Sequence, residues 1–193
     1  MIFRSLFVGY TNSPQQIRLK DQFSCYAALV CKEDMVFLYV ESREENVTPE
    51  CLVQGTLIPF PNGNLWAPAI EVFHYSRTVD AEQWRRKLRK TPYFQFNRLQ
   101  HDKIASYIFY HYQYQEEYPG DGDKYGVLYL FDDQLIFYLE DPEELETVKM
   151  PGLLQTTNSP LCNWEALMHE HFTDEWQQVW DLQHSDYISF DPE

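Results

Sequence analysis

Tyr107 and His111 stand four residues apart in the run His101-Asp-Lys-Ile-Ala-Ser-Tyr-Ile-Phe-Tyr-His-Tyr-Gln-Tyr-Gln-Glu-Glu117. On a helix that spacing puts both side chains on one face, within reach of one small pocket. An imidazole titrates near neutral pH and can take or give a proton there. A phenol can donate a hydrogen bond or share the proton work. On a strand the pair would share a face but lie ~13 Å apart at ~3.3 Å per residue, too far to act together. Joint chemistry therefore depends on a helix. The same residues also suit a plainer role, as aromatic and imidazole groups on a packed core face.

Other chemistry-bearing patterns are weaker. His169-Glu-His171 places two imidazoles two residues apart, where helical neighbours diverge, and no His-Glu-x-x-His occurs, so no metal is expected. Gly120-Asp-Gly-Asp123 lacks the rest of a calcium loop and any phosphate-loop Lys-Ser/Thr, and reads as a surface turn. There is no dinucleotide fingerprint and no Gly-x-Ser-x-Gly elbow, and no cofactor is expected. Cys25, Cys31, Cys51 and Cys162 form no Cys-x-x-Cys pair and read as reduced thiols of a cytoplasmic protein.

The elements that must position these residues occur twice. Residues 26–45 and 125–144 align at a constant offset of 99 with seven identities, Tyr26/Tyr125, Leu29/Leu128, Asp34/Asp133, Tyr39/Tyr138, Glu41/Glu140, Glu44/Glu143 and Glu45/Glu144. The offset persists at Pro61/Pro160, Asn64/Asn163, Ala67/Ala166, Glu71/Glu170 and Phe73/Phe172, and Trp66 falls on Trp164 with a slip of one. A persisting match argues for an internal duplication. Each copy reads as a hairpin rich in Val, Leu, Phe and Tyr, over Tyr26–Cys31 with Met35–Val40 and over Tyr125–Phe131 with Gln134–Leu139. Phe3–Tyr10 and Tyr93–Leu99 read as preceding strands, and Trp164, Leu167, Met168 and His171 fall at helical spacing. Glu41 and Glu140 end strands symmetrically and suit structural or capping roles.

The copies differ at Gln100 to Asp123, which the first copy lacks. As a helix this segment places Ile104, Tyr107, Ile108, His111, Tyr112 and Gln115 on one face and stops at Pro119-Gly120. As a strand, Tyr110 to Gln115 alternate almost without break. Periodicity does not decide; length favours helix, because strands of that length are rare. Strand, helix and hairpin then give β-α-β-β, half of a ferredoxin-like unit.

Tyr107-x-x-x-His111, Glu117 six residues later, the Tyr125-to-Glu140 hairpin and Trp164-x-Ala-x-Met168 together resemble L-rhamnose mutarotase and its dimeric α+β-barrel relatives, over about residues 93 to 183. The resemblance implies an α+β fold of two tandem ferredoxin-like repeats, 1–91 and 92–193, forming an intramolecular α+β barrel. It implies a cofactor-free aldose mutarotase with His111 and Tyr107 as catalytic groups and Trp164, Glu117 and Glu140 as substrate-binding groups. Aldose anomer exchange needs one proton transfer to the ring oxygen and one from the anomeric hydroxyl, which imidazole and phenol chemistry can supply. A non-catalytic small-molecule or protein binding module is the alternative, and the same architecture also hosts monooxygenases.

The chain has 193 residues, of which 44% are hydrophobic, with a net charge of −15. Such a surface repels phosphate backbones and anionic headgroups, so neither nucleic acid nor membrane is an expected partner. A neutral sugar is compatible with it. The short basic run Arg85-Arg86-Lys87 with Arg89-Lys90 reads as a solvated face. Both repeats being present, the chain is expected to be a monomer or weak dimer.

Overall fold

A computed structural model describes residues 2–21, 24–75, 84, 90–120, 122–145, 152, 154–155 and 160–185. The basic run at 85–89 and Asp121 lie outside them. The chain is α+β, with antiparallel sheets and few helices. In chain order the strands are β1 (Phe3–Tyr10), β2 (Arg18–Leu19), β3 (Tyr26–Lys32), β4 (Met35–Ser42), β5 (Val53–Gln54), β6 (Ala67–Pro68), β7 (Ile70–His74), β8 (Thr91–Arg98), β9 (Val127–Phe131), β10 (Gln134–Asp141), β11 (Gln177–Val179) and β12 (Gln183–His184). The helices are α1 (Pro49–Leu52), α2 (Ile104–Glu117) and α3 (Trp164–His169). Among the described residues no helix is long and apolar enough to cross a membrane.

Two compact units result. The first comprises Met1–Ala69, Thr78–Lys90 and Asp181–Glu193. Its five-stranded sheet has the order β12-β3-β4-β1-β6, beside a small β2-β5 ribbon. Both faces of β3 and β4 are buried, which is why their sequences are continuous apolar runs. One face carries the core of Ile17, Leu29, Leu38, Leu52 and Trp66.

The second unit comprises Ile70–Arg77 and Thr91–Trp180, and its sheet has the order β11-β8-β10-β9-β7. Strand β7 lies in the sequence before β8 yet pairs with β9 at the edge, through Ile70↔Leu130 and His74↔Val127. Phe73, Leu99, Tyr107, Leu128, Leu135 and Met168 form its core.

The two hairpins agree in detail. Lys32 faces Met35 and Phe131 faces Gln134, around two-residue turns. Glu33 and Asp132 open those turns at φ 57° and 52°, a left-handed conformation that acidic residues tolerate better than branched ones. The neighbouring strands also keep one register. Phe3↔Ser42 to Tyr10↔Met35 in the first unit matches Thr91↔Asp141 to Arg98↔Gln134 in the second.

Leu65–His74 and Trp164–Phe172, which look alike in sequence, fold differently. The first becomes β6 and β7, the second begins as α3. The last strand of the second unit is short, Gln177–Val179.

Candidate functional site

The segment open to two readings is a helix. α2 runs for 14 residues after a 3-10 turn at His101–Lys103, and Tyr118 N–H closes it on the Tyr114 carbonyl at 2.9 Å before Pro119-Gly120. A tertiary face settles what periodicity could not. Ile104, Tyr107, Ile108 and Tyr114 pack on Phe73, Leu128 and Met168. The inward stripe runs through 107, 111 and 114, so Tyr112, expected on that face, is instead 51% exposed. Gln115 accepts the His74 backbone N–H at 3.0 Å, which ties α2 to β7.

Tyr107, His111 and Trp164 all line one cavity of about 560 Å³ within the second unit. Phe73, Tyr75, Tyr114, Phe137, Phe172 and Trp176 complete its aromatic wall. Gln95, Asn97, Glu165, His169, Asp174 and Glu175 are the remaining polar contributors, and no Lys or Arg is among the described lining residues. The rings of Tyr107 and His111 lie 4.1 Å apart and tilted by 37°, and the Trp164 ring meets His111 edge-on at 4.8 Å.

His111 is 6% exposed. Its Nδ1 lies 2.9 Å from the Tyr107 carbonyl oxygen, which can only accept, so Nδ1 carries the proton and Nε2 carries the lone pair. Among the described residues Nε2 has no hydrogen-bond partner. Burial lowers the imidazole from 6.5 to about 4, opposed by the Tyr107 carbonyl and reinforced by His171. The ring is therefore a neutral acceptor at physiological pH. Burial, and then the nearby Tyr75, push the Tyr107 phenol far above its ordinary range, so it remains a protonated donor. Its hydroxyl also has no partner among the described residues. A buried neutral acceptor and a buried neutral donor thus share one hollow.

The two acids do not join them. Glu117 is six residues after His111, about 240° round the helix at 100° per residue, and accepts from Gln113 Nε2 at 3.1 Å. Glu140 is three residues from the cavity-lining Phe137 on β10, an odd step that turns it to the opposite sheet face. There it accepts the Tyr138 hydroxyl at 2.6 Å. The first unit repeats the pair, with Tyr39 donating to Glu41 at 2.7 Å, and adds Trp84 Nε1 at 3.1 Å. A buried carboxylate beside a buried phenol in both units is a structural device.

His171 is fully engaged as well. Its Nδ1 donates to the Leu167 carbonyl at 2.8 Å, and Ser106 Oγ lies 2.9 Å from Nε2, which pins the end of α3 to α2. His169 faces the cavity instead.

Sequence reasoning passed over Gln95 and Asn97. The signal was present in β8, where the buried Phe94 and Phe96 alternate with the half-buried Gln95 and the buried Asn97. Tyr75 and Trp176 carry no comparable mark. No protein-family model matches this chain, and no curated protein and no solved structure matches it.

Proposed function

We propose that the second unit is a cofactor-free aldose mutarotase site, of the kind the resemblance to L-rhamnose mutarotase implies. The observation that carries this reading is the convergence of the Tyr107 hydroxyl and His111 Nε2, neither bonded to the described protein, on one aromatic cavity. His111 Nε2 takes the proton of the anomeric hydroxyl while Tyr107 gives its proton to the ring oxygen. The C1–O bond of the ring breaks, the free aldehyde turns about C1–C2, and the reverse transfers close the ring on the other face. The two transfers leave an imidazolium and a phenolate of opposite charge in one hollow, and burial favours their discharge as the ring closes. Trp164 and its aromatic neighbours offer apolar faces to the sugar ring, and a lining with Glu165, Asp174 and Glu175 and no described Lys or Arg disfavours an anionic guest.

We also infer that the two sheets are tandem ferredoxin-like repeats. The second unit runs β8-α2-β9-β10-α3-β11 and orders those strands fourth, first, third, second, as that fold does. The first unit's β6-β1-β4-β3 has the same order. The shared turn and register at matching positions support one duplicated ancestor.

Saturation-transfer NMR on a panel of free aldoses tests the activity. Faster exchange between anomers with wild type, lost in His111→Ala, is expected; equal exchange with and without protein across the panel removes the reading. A non-catalytic binding module is the second reading. The low basicity of His111 favours it, because an imidazole near 4 is a weak proton acceptor. In that case His111→Ala retains ligand and no exchange is seen with either protein.

A further inference from the structure

We propose that Asn97 anchors the ligand of this cavity by donating its side-chain amide to an acceptor oxygen. The inference rests on the reading of the cavity as a small-molecule site and adds the group that orients the guest. Asn97 is 3% exposed and lines the cavity. Its Oδ1 accepts the Arg98 backbone N–H at 2.7 Å, which fixes the two ends of the amide. Its Nδ2 is buried and has no hydrogen-bond partner among the described residues. A buried donor in that condition is a standing cost to the fold, relieved when an acceptor reaches it.

The first unit shows what the same positions carry where Trp66 covers the face. Gly9↔Val36 and Asn97↔Leu135 are equivalent pairs, as are Phe7↔Leu38 and Gln95↔Phe137. In the first unit these two positions and their partners Leu38 and Val36 are apolar. Phe7 packs on the core, and Trp66 lies so close over Gly9 that a Cβ there would stand 3.2 Å from its ring. In the second unit the two positions carry primary amides, and a cavity stands over them. A merely space-filling role would be met by carbon, as it is in the first unit. Amides at the hollow face serve a polar guest, and a single acceptor oxygen completes the Asn97 side chain.

Side-chain amide NMR on the full ¹⁵N-labelled chain tests this, with dimethyl sulfoxide, glycerol, L-rhamnose, L-fucose and D-glucose as probes. The Asn97 NH₂ resonances are expected to shift with at least one probe. That probe is expected to bind about tenfold or more weakly to Asn97→Leu at every pH. Asn97→Asp keeps the bond to Arg98 N–H but loses the donor when ionised. Its affinity is expected to fall about tenfold or more at pH 8, where the carboxylate has no proton to donate, and this readout stands if the Leu variant fails to fold. An Asn97 amide unmoved by every probe, wild-type affinity in Asn97→Leu, or wild-type affinity in Asn97→Asp at pH 8 overturns the proposal. Dimethyl sulfoxide or glycerol shifting Asn97 with no sugar exchanged faster leaves the anchor standing and removes the aldose reading. Faster exchange with an unmoved Asn97 does the reverse.

Discussion

The burial of His111 can be tested through folding alone, without any ligand. In the unfolded chain the imidazole titrates near 6.5, and in the fold it titrates near 4. Above pH 6.5 both states hold it neutral and it confers no pH dependence. Between those values the unfolded chain takes up a proton that the native chain refuses, so acidification favours unfolding. The slope is about 1.4 kcal/mol per pH unit, and over the whole interval the loss is roughly 3 kcal/mol. Below about 4 both states are protonated and the effect levels off. His111→Gln removes the titrating group, so the informative quantity is wild-type stability minus that of the variant. Urea unfolding at pH 8, 6, 5 and 4, followed by tryptophan fluorescence, measures it. The difference should shift by roughly 3 kcal/mol against wild type from pH 8 to pH 4. Parallel curves for the two proteins would refute the reasoning, because they would mean that the folded imidazole charges as freely as an exposed one.

The same lowered imidazole sets the activity profile: anomer exchange should stay level from pH 8 to about 5 and fall around 4, as an NMR pH series would show. Tyr107→Phe should slow exchange by about 10² or more while leaving the far-ultraviolet dichroism unchanged, since only the hydroxyl is lost. Glu117→Gln should leave exchange at the wild-type rate, whereas Glu140→Gln should lower the melting temperature by weakening the contact with Tyr138. Light scattering should find a monomer, and an obligate dimer would count against the proposed tandem repeat.

The strands were the most legible part of the fold, because Phe3–Tyr10, Tyr26–Lys32 and Met35–Ser42 are dense in branched and aromatic residues and bounded by turn chemistry. α2 was harder. Tyr110 to Gln115 alternate like a strand, and only contacts with Phe73, Leu128 and Met168, distant in sequence, select the helix. Leu65–His74 resisted reading for a related reason. It resembles Trp164–Phe172, yet pairing of Ile70 and His74 with β9 makes part of it a sheet edge. At the site, helical spacing was enough to bring Tyr107 and His111 together, and Trp164 joined them. Glu117 and Glu140 were chosen by motif order, but their phases on helix and strand turn them aside. The alternation of Phe94 and Phe96 with Gln95 and Asn97 marks the two faces of β8, but that the amide face is hollow is set by packing with distant segments.

The outermost strands carry a final consequence. Ile70–His74 seals the β9 margin of the later sheet, while Gln183–His184, near the other end of the gene, seals β3 of the earlier one. A gene severed at residue 91 would strip each product of its margin. The downstream fragment would also forfeit Phe73, whose ring stands 5.4 Å from that of His111. Bared backbone along β9 and β3 invites foreign strands. Each sheet thus depends on a strand from across the cut, and the later one would lose a wall of its cavity with it.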